Sequence, residues 1–139
     1  IRRITKLADP GDPVAEESSI LPESDKAISG DSRAIEASGI IEREYQSPDL
    51  SLSEVANRLS IHPNYLSTLF RQQIGDTFSE RLEMTRVHKA SVLLTDTTLP
   101  VKTISNLVGF RDQRYFAIRF KDRTGATPTG FRKRNIQNE

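Results

Sequence analysis

One pattern is written twice in this chain. Residues 65–78 read YLSTLFRQQIGDTF and residues 115–128 read YFAIRFKDRTGATP. In register, Tyr, Phe, Gly and Thr are identical, Leu66 answers Phe116, and Arg71 answers Lys121. The echo extends upstream, where Leu52, Val55, Ala56 and Leu59 match Val101, Ile104, Ser105 and Val108 at an offset of 49. From Tyr65 onward the offset is 50, so the second copy carries one extra residue in the turn between Gly109-Phe110 and Gln113. A chain of 139 residues has room for one domain or two very small ones, so the repeated unit must dictate most of the fold.

Each copy has helical spacing. Ser51-Leu-Ser-Glu54 is a capping box that opens a short helix with Leu52, Val55, Ala56 and Leu59 on one face. His62-Pro63 starts a second helix with Pro at its first position, Leu66, Leu69 and Phe70 on its apolar side and Gly75 at its end. In the second copy, Pro100 restarts the chain, Val101, Ile104 and Val108 form the short helix, and Asp112 caps the next, which holds Tyr115, Phe116 and Phe120 as its packing side and ends at Gly125. Ala56 and Ser105 put a small residue midway along each first helix, where two helices can cross closely. A short helix, a tight turn and a helix of about ten residues make a helix-turn-helix. One such pattern is weak evidence, and two joined by a helix are much stronger.

The rest of the chain fits around the repeat. Thr77-Phe-Ser-Glu80 is another capping box, and the helix it opens carries Phe78, Leu82, Val87, Ala90, Leu93 and Leu94 to about Thr95. Ile35, Ile40, Ile41 and Tyr45 predict a first amphipathic helix closed at Ser47-Pro48, and Thr127-Pro128 predicts a last short one near Phe131. Strand-like alternation is absent. The fold class is all-α: a seven-helix domain over residues 32–139, with two helix-turn-helix subdomains at about 52–73 and 101–124 joined by a long linker helix at about 78–95. Residues 1–31 read as a connector, partly disordered, because Pro10, Pro13, Pro22, Gly11 and Gly30 stand among Asp, Glu and Ser with no sustained apolar period. The only Met is Met84, so the chain is expected to be part of a longer protein.

Charge gives the partner class. Net charge is only +1, but residues 101–139 hold 9 Lys/Arg against 3 Asp/Glu, whereas residues 1–40 carry net −3 and residues 41–100 net −2. A basic C-terminal third is the electrostatic footprint of a polyanion partner. Cysteine is absent, which excludes thiolate metal sites and Cys nucleophiles and suits a reducing compartment, here expected to be the cytoplasm. No apolar run approaches the roughly 20 residues of a membrane span. Carboxylates form no acid/base pair, there is no Gly-rich phosphate loop, and His88 has no paired His or Cys, so neither an enzyme, a metal site nor a cofactor is expected.

The helix faces give candidate contacts. With Leu66 and Phe70 inward, Asn64, Ser67, Thr68 and Arg71 share the opposite face at i, i+3, i+4 and i+7. With Phe116 and Phe120 inward, Arg114, Ala117, Ile118 and Lys121 point outward, with Gln113 beside them at the helix start. In a major groove Arg114 takes guanine bidentately, Gln113 reads adenine, and Ile118 or Ala117 touches a thymine methyl, while Asn64, Ser67 and Thr68 offer a more neutral hydrogen-bonding set. Phosphate contacts are expected from His62, Arg71, Arg111, Arg119, Lys121, Arg123, Arg132, Lys133 and Arg134. Residues 78–95 span about 27 Å at ~1.5 Å per residue. That suits two recognition helices in adjacent grooves, which lie about 34 Å apart. The competing reading is a helical protein-interaction module that docks through the exposed Ile118 face.

Residues 52–132 resemble the DNA-binding domain of AraC/XylS-family bacterial transcription regulators. The match runs through Ile104-Ser105, Val108-Gly109-Phe110, Asp112, Tyr115-Phe116, Phe120-Lys121, Gly125, Thr127-Pro128 and Phe131-Arg132, and the first half, LSLSEVANRLSIHPNYLSTLFRQQIG, is similarly close. The resemblance implies a seven-helix, double helix-turn-helix domain that binds double-stranded promoter DNA. It also implies contact with RNA polymerase, often as an activator, and a sensor or receiver domain outside this chain. Three positions depart from the family pattern: Ser105 replaces the usual Ala, His62 replaces the usual Ser before the recognition helix, and the first recognition helix offers no Arg at its groove-facing centre. Direct readout is therefore expected to rest more on the second helix, the alternative being that Arg71 compensates on the first.

Overall fold

The computed structural model describes residues 30–137. Among these residues the chain is all-α, with α1 Arg33–Glu44, α2 Leu52–Arg58, α3 Pro63–Ile74, α4 Phe78–Asp96, α5 Val101–Leu107, α6 Gln113–Thr124 and α7 Pro128–Gln137. Most of the connector expected at residues 1–31 lies outside the described residues. The described chain divides into two compact units, one of residues 30–40 and 51–80, the other of residues 41–50 and 81–137.

In the first unit α2 packs on α3. Val55 and Ala56 of α2 and Leu66, Leu69 and Phe70 of α3 are fully buried, and Phe70 meets Phe78 edge-on at 5.6 Å between ring centroids. Ser51 caps α2 by accepting from the Glu54 amide at 3.2 Å, and the Glu54 carboxylate pairs with Arg58 one turn on at 3.7 Å. The box at Thr77 closes from both sides: Thr77 Oγ1 accepts from the Glu80 amide at 3.1 Å, and the Thr77 amide donates to Glu80 at 3.0 Å. Along α1 the buried stripe is Ala34, Ala37, Ile40 and Ile41, at i, i+3, i+6 and i+7. Ile35, expected on that stripe, is 63% exposed. The small alanines take the inward positions, so the bulkier Ile35 is turned out.

The second unit holds a continuous core of its own. Val87, Ala90 and Leu94 of α4, Ile104 of α5, Val108 and Phe110 of the turn, and Phe116 and Phe120 of α6 form one buried cluster, with Tyr45, Leu93, Leu99, Val101 and Phe131 packed against it. An aromatic chain runs through it: Phe110 to Phe116 at 5.0 Å, Phe116 to Phe120 at 5.6 Å, and Phe120 to Phe131 at 5.3 Å. Arg86 fastens the segment that follows α1. Its Nε donates to the Tyr45 carbonyl at 2.8 Å, its Nη2 donates to the Ser47 carbonyl at 2.7 Å, and its guanidinium lies over the Phe110 ring. Tyr115, expected inward, is instead 52% exposed. Its ring leans on Phe110 at 6.2 Å, while Phe116 occupies the buried position next to it.

Candidate nucleic-acid interface

The two turns are alike to the hydrogen bond. After α2 the Ser60 amide donates to the Asn57 carbonyl and the Ile61 amide to the Ala56 carbonyl. After α5 the Gly109 amide donates to the Asn106 carbonyl and the Phe110 amide to the Ser105 carbonyl, each partner displaced by the offset of the repeat. This is the Schellman closure, which needs one residue in the left-handed region. That residue is Ser60, at φ 62°, in the first copy and Gly109, at φ 104°, in the second. Sequence reading marked Gly109 and missed Ser60, because a serine carries no signal for a positive φ.

The second helix of each pair is then built to one specification. Both α3 and α6 have 12 residues. His62 Nδ1 accepts from the Asn64 amide at 3.0 Å, and Asp112 Oδ1 accepts from the Arg114 amide at 2.9 Å. Gly75 and Gly125 close them in the left-handed conformation, donating to the Arg71 and Lys121 carbonyls. The inward residues are Leu66, Leu69 and Phe70 in α3 and Phe116 and Phe120 in α6, all fully buried.

The outer faces differ. Asn64, Ser67, Thr68 and Arg71 are all exposed on α3, a neutral polar surface with one cation. On α6, Gln113, Arg114, Ile118 and Lys121 are exposed and Ala117 is half-buried. Ile118 is 55% exposed between cationic neighbours. The α6 face thus sets an open apolar side chain beside amide and cationic groups.

The basic residues separate into two sets. His62, Arg71, Lys121, Lys133 and Arg134 are exposed, and Arg111 is exposed while paired with the equally open Asp49. Arg119, Arg123 and Arg132, expected among the phosphate contacts, are engaged by the protein itself. Arg119 donates from Nε to Glu83 and from Nη1 to Asp122 at 2.7 Å, Arg123 Nε meets the same Glu83 oxygen at 3.2 Å, and Arg132 donates to the Leu94 and Thr97 carbonyls at 3.0 and 3.1 Å. Hydrogen bonding to Glu83 holds the Arg119 guanidinium above its ordinary pKa.

Helix α3 has its own anchor, which sequence reading missed. Tyr65 donates its hydroxyl to the Asp31 carboxylate at 2.8 Å, and Gln73, two turns along, donates to the Asp31 carbonyl at 2.9 Å. Arg33 donates to both Asp31 carboxylate oxygens, at 3.0 and 2.7 Å, and its guanidinium lies over the Tyr65 ring. The hydrogen bonds from Arg33, joined by that from Tyr65, hold the Asp31 carboxyl well below the usual carboxylate range. No local pattern announces a pairing 34 residues apart. Among the described residues, no helix is long and apolar enough to cross a membrane.

Residues 55–134 match a family model described as a helix-turn-helix domain. The arabinose operon regulatory protein of Escherichia coli (strain K12) is 38% identical over 102 residues, covering 73% of this chain and 35% of that protein. The chain thus spans about a third of the length of that curated relative. Among solved structures, the C-terminal domain of AraT, a response regulator from Geobacillus stearothermophilus, is 34% identical with a TM-score of 0.73, over 75% of this chain and 86% of that one. The DNA-binding domain of AdpA, a global transcriptional factor solved in complex with a target DNA, shares the fold, with a TM-score of 0.72 at 19% identity over 76% of this chain and 95% of that one.

Proposed function

Because this chain belongs to the AraC/XylS family of helix-turn-helix transcription regulators, and carries its DNA-binding domain rather than an enzyme, we propose that it binds double-stranded promoter DNA by sequence, with α3 and α6 in adjacent major grooves. Two 12-residue helices capped at equivalent positions and packed through equivalent pairs, Leu66 with Phe116 and Phe70 with Phe120, present different outer faces, and that observation carries the reading. Equivalent inner positions satisfy packing, and unlike outer faces read unlike bases.

In this reading Arg114 takes a guanine, Gln113 an adenine, and Ile118 with Ala117 the methyl of a thymine, while Asn64, Ser67 and Thr68 make a softer set of contacts. His62, Arg71, Arg111, Lys121 and Lys133, with Arg134, meet phosphate. The pair between Arg111 and Asp49 joins two open side chains, so exchanging it for a phosphate costs little. Arg119, Arg123 and Arg132 serve the framework instead. Helix α4, of 19 residues, measures about 28 Å at ~1.5 Å per residue, a connector of the scale that two successive grooves require. Residues 1–31 join the domain to a sensor or receiver domain, RNA polymerase is the protein partner, the outcome is activation, and the compartment is the cytoplasm.

Selection of bound sites from random duplex DNA tests the reading. Two sequence blocks separated by about one helical turn, ~34 Å, are expected. A single short block would refute the two-groove arrangement. Recovery of no preferred sequence, with binding to heparin and DNA alike absent, would favour a protein-docking module acting through Ile118.

A further inference from the structure

One carboxylate of α4 meets two arginines of α6. Glu83 Oε2, on α4, accepts from Arg119 and lies 3.2 Å from Arg123 Nε, and Arg119 also bonds Asp122. The four side chains carry two positive and two negative charges, so the cluster is neutral. Side-chain exposure is 19% for Glu83, 28% for Arg119 and 25% for Arg123, while Asp122 stands open at 62%. Glu83 is the least exposed member and the one both arginines share, so removing its charge leaves two cations with only the open Asp122 beside them.

The position has a counterpart in the other copy. Leu69 stands in α3 where Arg119 stands in α6, and Gln73 where Arg123 stands. The first helix thus fills the site with a buried apolar side chain and a neutral amide, and carries no cation there. The second carries two cations and meets them with a carboxylate. A free arginine on a DNA-facing helix adds affinity for any duplex, because phosphate contact is blind to sequence.

We infer that Glu83 is a specificity-determining residue: it withholds Arg119 and Arg123 from the phosphate backbone, so that α6 engages DNA through Gln113, Arg114 and Ile118. The inference rests on the reading of α6 as a recognition helix. Glu83 acts through the arginines and touches no base, so it is a positioning residue.

The test measures dissociation constants of the full chain for a selected duplex and for a scrambled duplex, across a salt series. Glu83→Gln is expected to bind the scrambled duplex more tightly, to narrow the ratio between the two duplexes, and to steepen the log–log salt slope by about 0.9 for each arginine released, up to about 1.8. Adding Arg119→Gln and Arg123→Gln to that variant should restore the wild-type slope. The same two arginine substitutions with Glu83 intact should leave the slope unchanged. A Glu83→Gln variant that loses stability but keeps the wild-type slope overturns the inference, because a purely structural role predicts that result. If Glu83→Gln does not fold, the double arginine variant decides: a shallower slope means both arginines already touch phosphate, which also overturns it. A wild-type chain that binds neither duplex sinks the DNA-binding reading itself, whereas normal wild-type binding with an unmoved slope sinks only the role of Glu83.

Discussion

Ser60 and Gly109 occupy the same place in two copies of one turn, and they meet it on different terms. A left-handed conformation costs an L-residue with a side chain roughly 1–2 kcal/mol, so Ser60→Gly should raise stability by about 1 kcal/mol in a urea titration. Gly109 has no such freedom: a Cβ there would strike the Tyr45 carbonyl oxygen and lie 2.7 Å from Arg86 Nε, in addition to the strain of φ 104°. Gly109→Ala should therefore lower the unfolding midpoint sharply and displace the Arg86 fastening. Ser105 poses the opposite problem. It is fully buried and its Oγ has no hydrogen-bond partner. Leaving a buried hydroxyl unsatisfied costs about 1–3 kcal/mol, so Ser105→Ala should stabilise the protein by about 1 kcal/mol. A loss of stability on that substitution would show that the hydroxyl has a role the geometry does not reveal.

At the scale of the helix, what the sequence announces is what short-range chemistry decides. Caps at Ser51, Thr77 and Asp112, stops at Gly75 and Gly125, and the apolar spacing of Leu66, Phe70, Phe116 and Phe120 are all local, and the structure has them where the pattern puts them. Ile35 and Tyr115 were misread because periodicity names a face without saying which of two neighbouring apolar residues wins the inside. The anchors of α3 and α6 were illegible for another reason. Asp31 with Tyr65, and Glu83 with Arg119, lie 34 and 36 residues apart, and no motif spacing links them. The Asp31 anchor has a pH signature. Its carboxyl is held below the ordinary range, chiefly by Arg33, so its ionised form is favoured by folding. The stabilisation is fully present above the unfolded carboxylate value, ~3.9, and is lost as pH falls below it toward the folded value. Unfolding midpoints measured from neutral pH down to about 3 should drop more steeply for wild type than for Asp31→Asn, and parallel curves would remove Asp31 from the account.

For the whole molecule, the sequence-level reading reduces to a division between the two copies. Arg114→Ala should cost about 1–3 kcal/mol of binding and relax preference at one base position. Lys133→Ala should instead weaken binding evenly across sequences and make the salt slope shallower by about 0.9. A uniform loss on Arg114→Ala would move Arg114 to the phosphate set. Mixed substitutions on Asn64, Ser67 and Thr68 should do less than Arg114→Ala alone, since each offers a neutral contact where Arg114 offers a charged, two-pronged one.

The aromatic chain of the second unit bears on how the protein opens. Phe110, Phe116, Phe120 and Phe131 link turn, α6 and α7 in series, whereas among the described residues of the first unit Phe70 meets Phe78 in a single ring pair. Amides inside such a linked core trade protons only when many contacts open together. Hydrogen–deuterium exchange should thus find the amides of Phe116 to Phe120 among the last to trade protons with solvent, and Phe116→Ala, by cutting the series of rings, should bring that exchange forward.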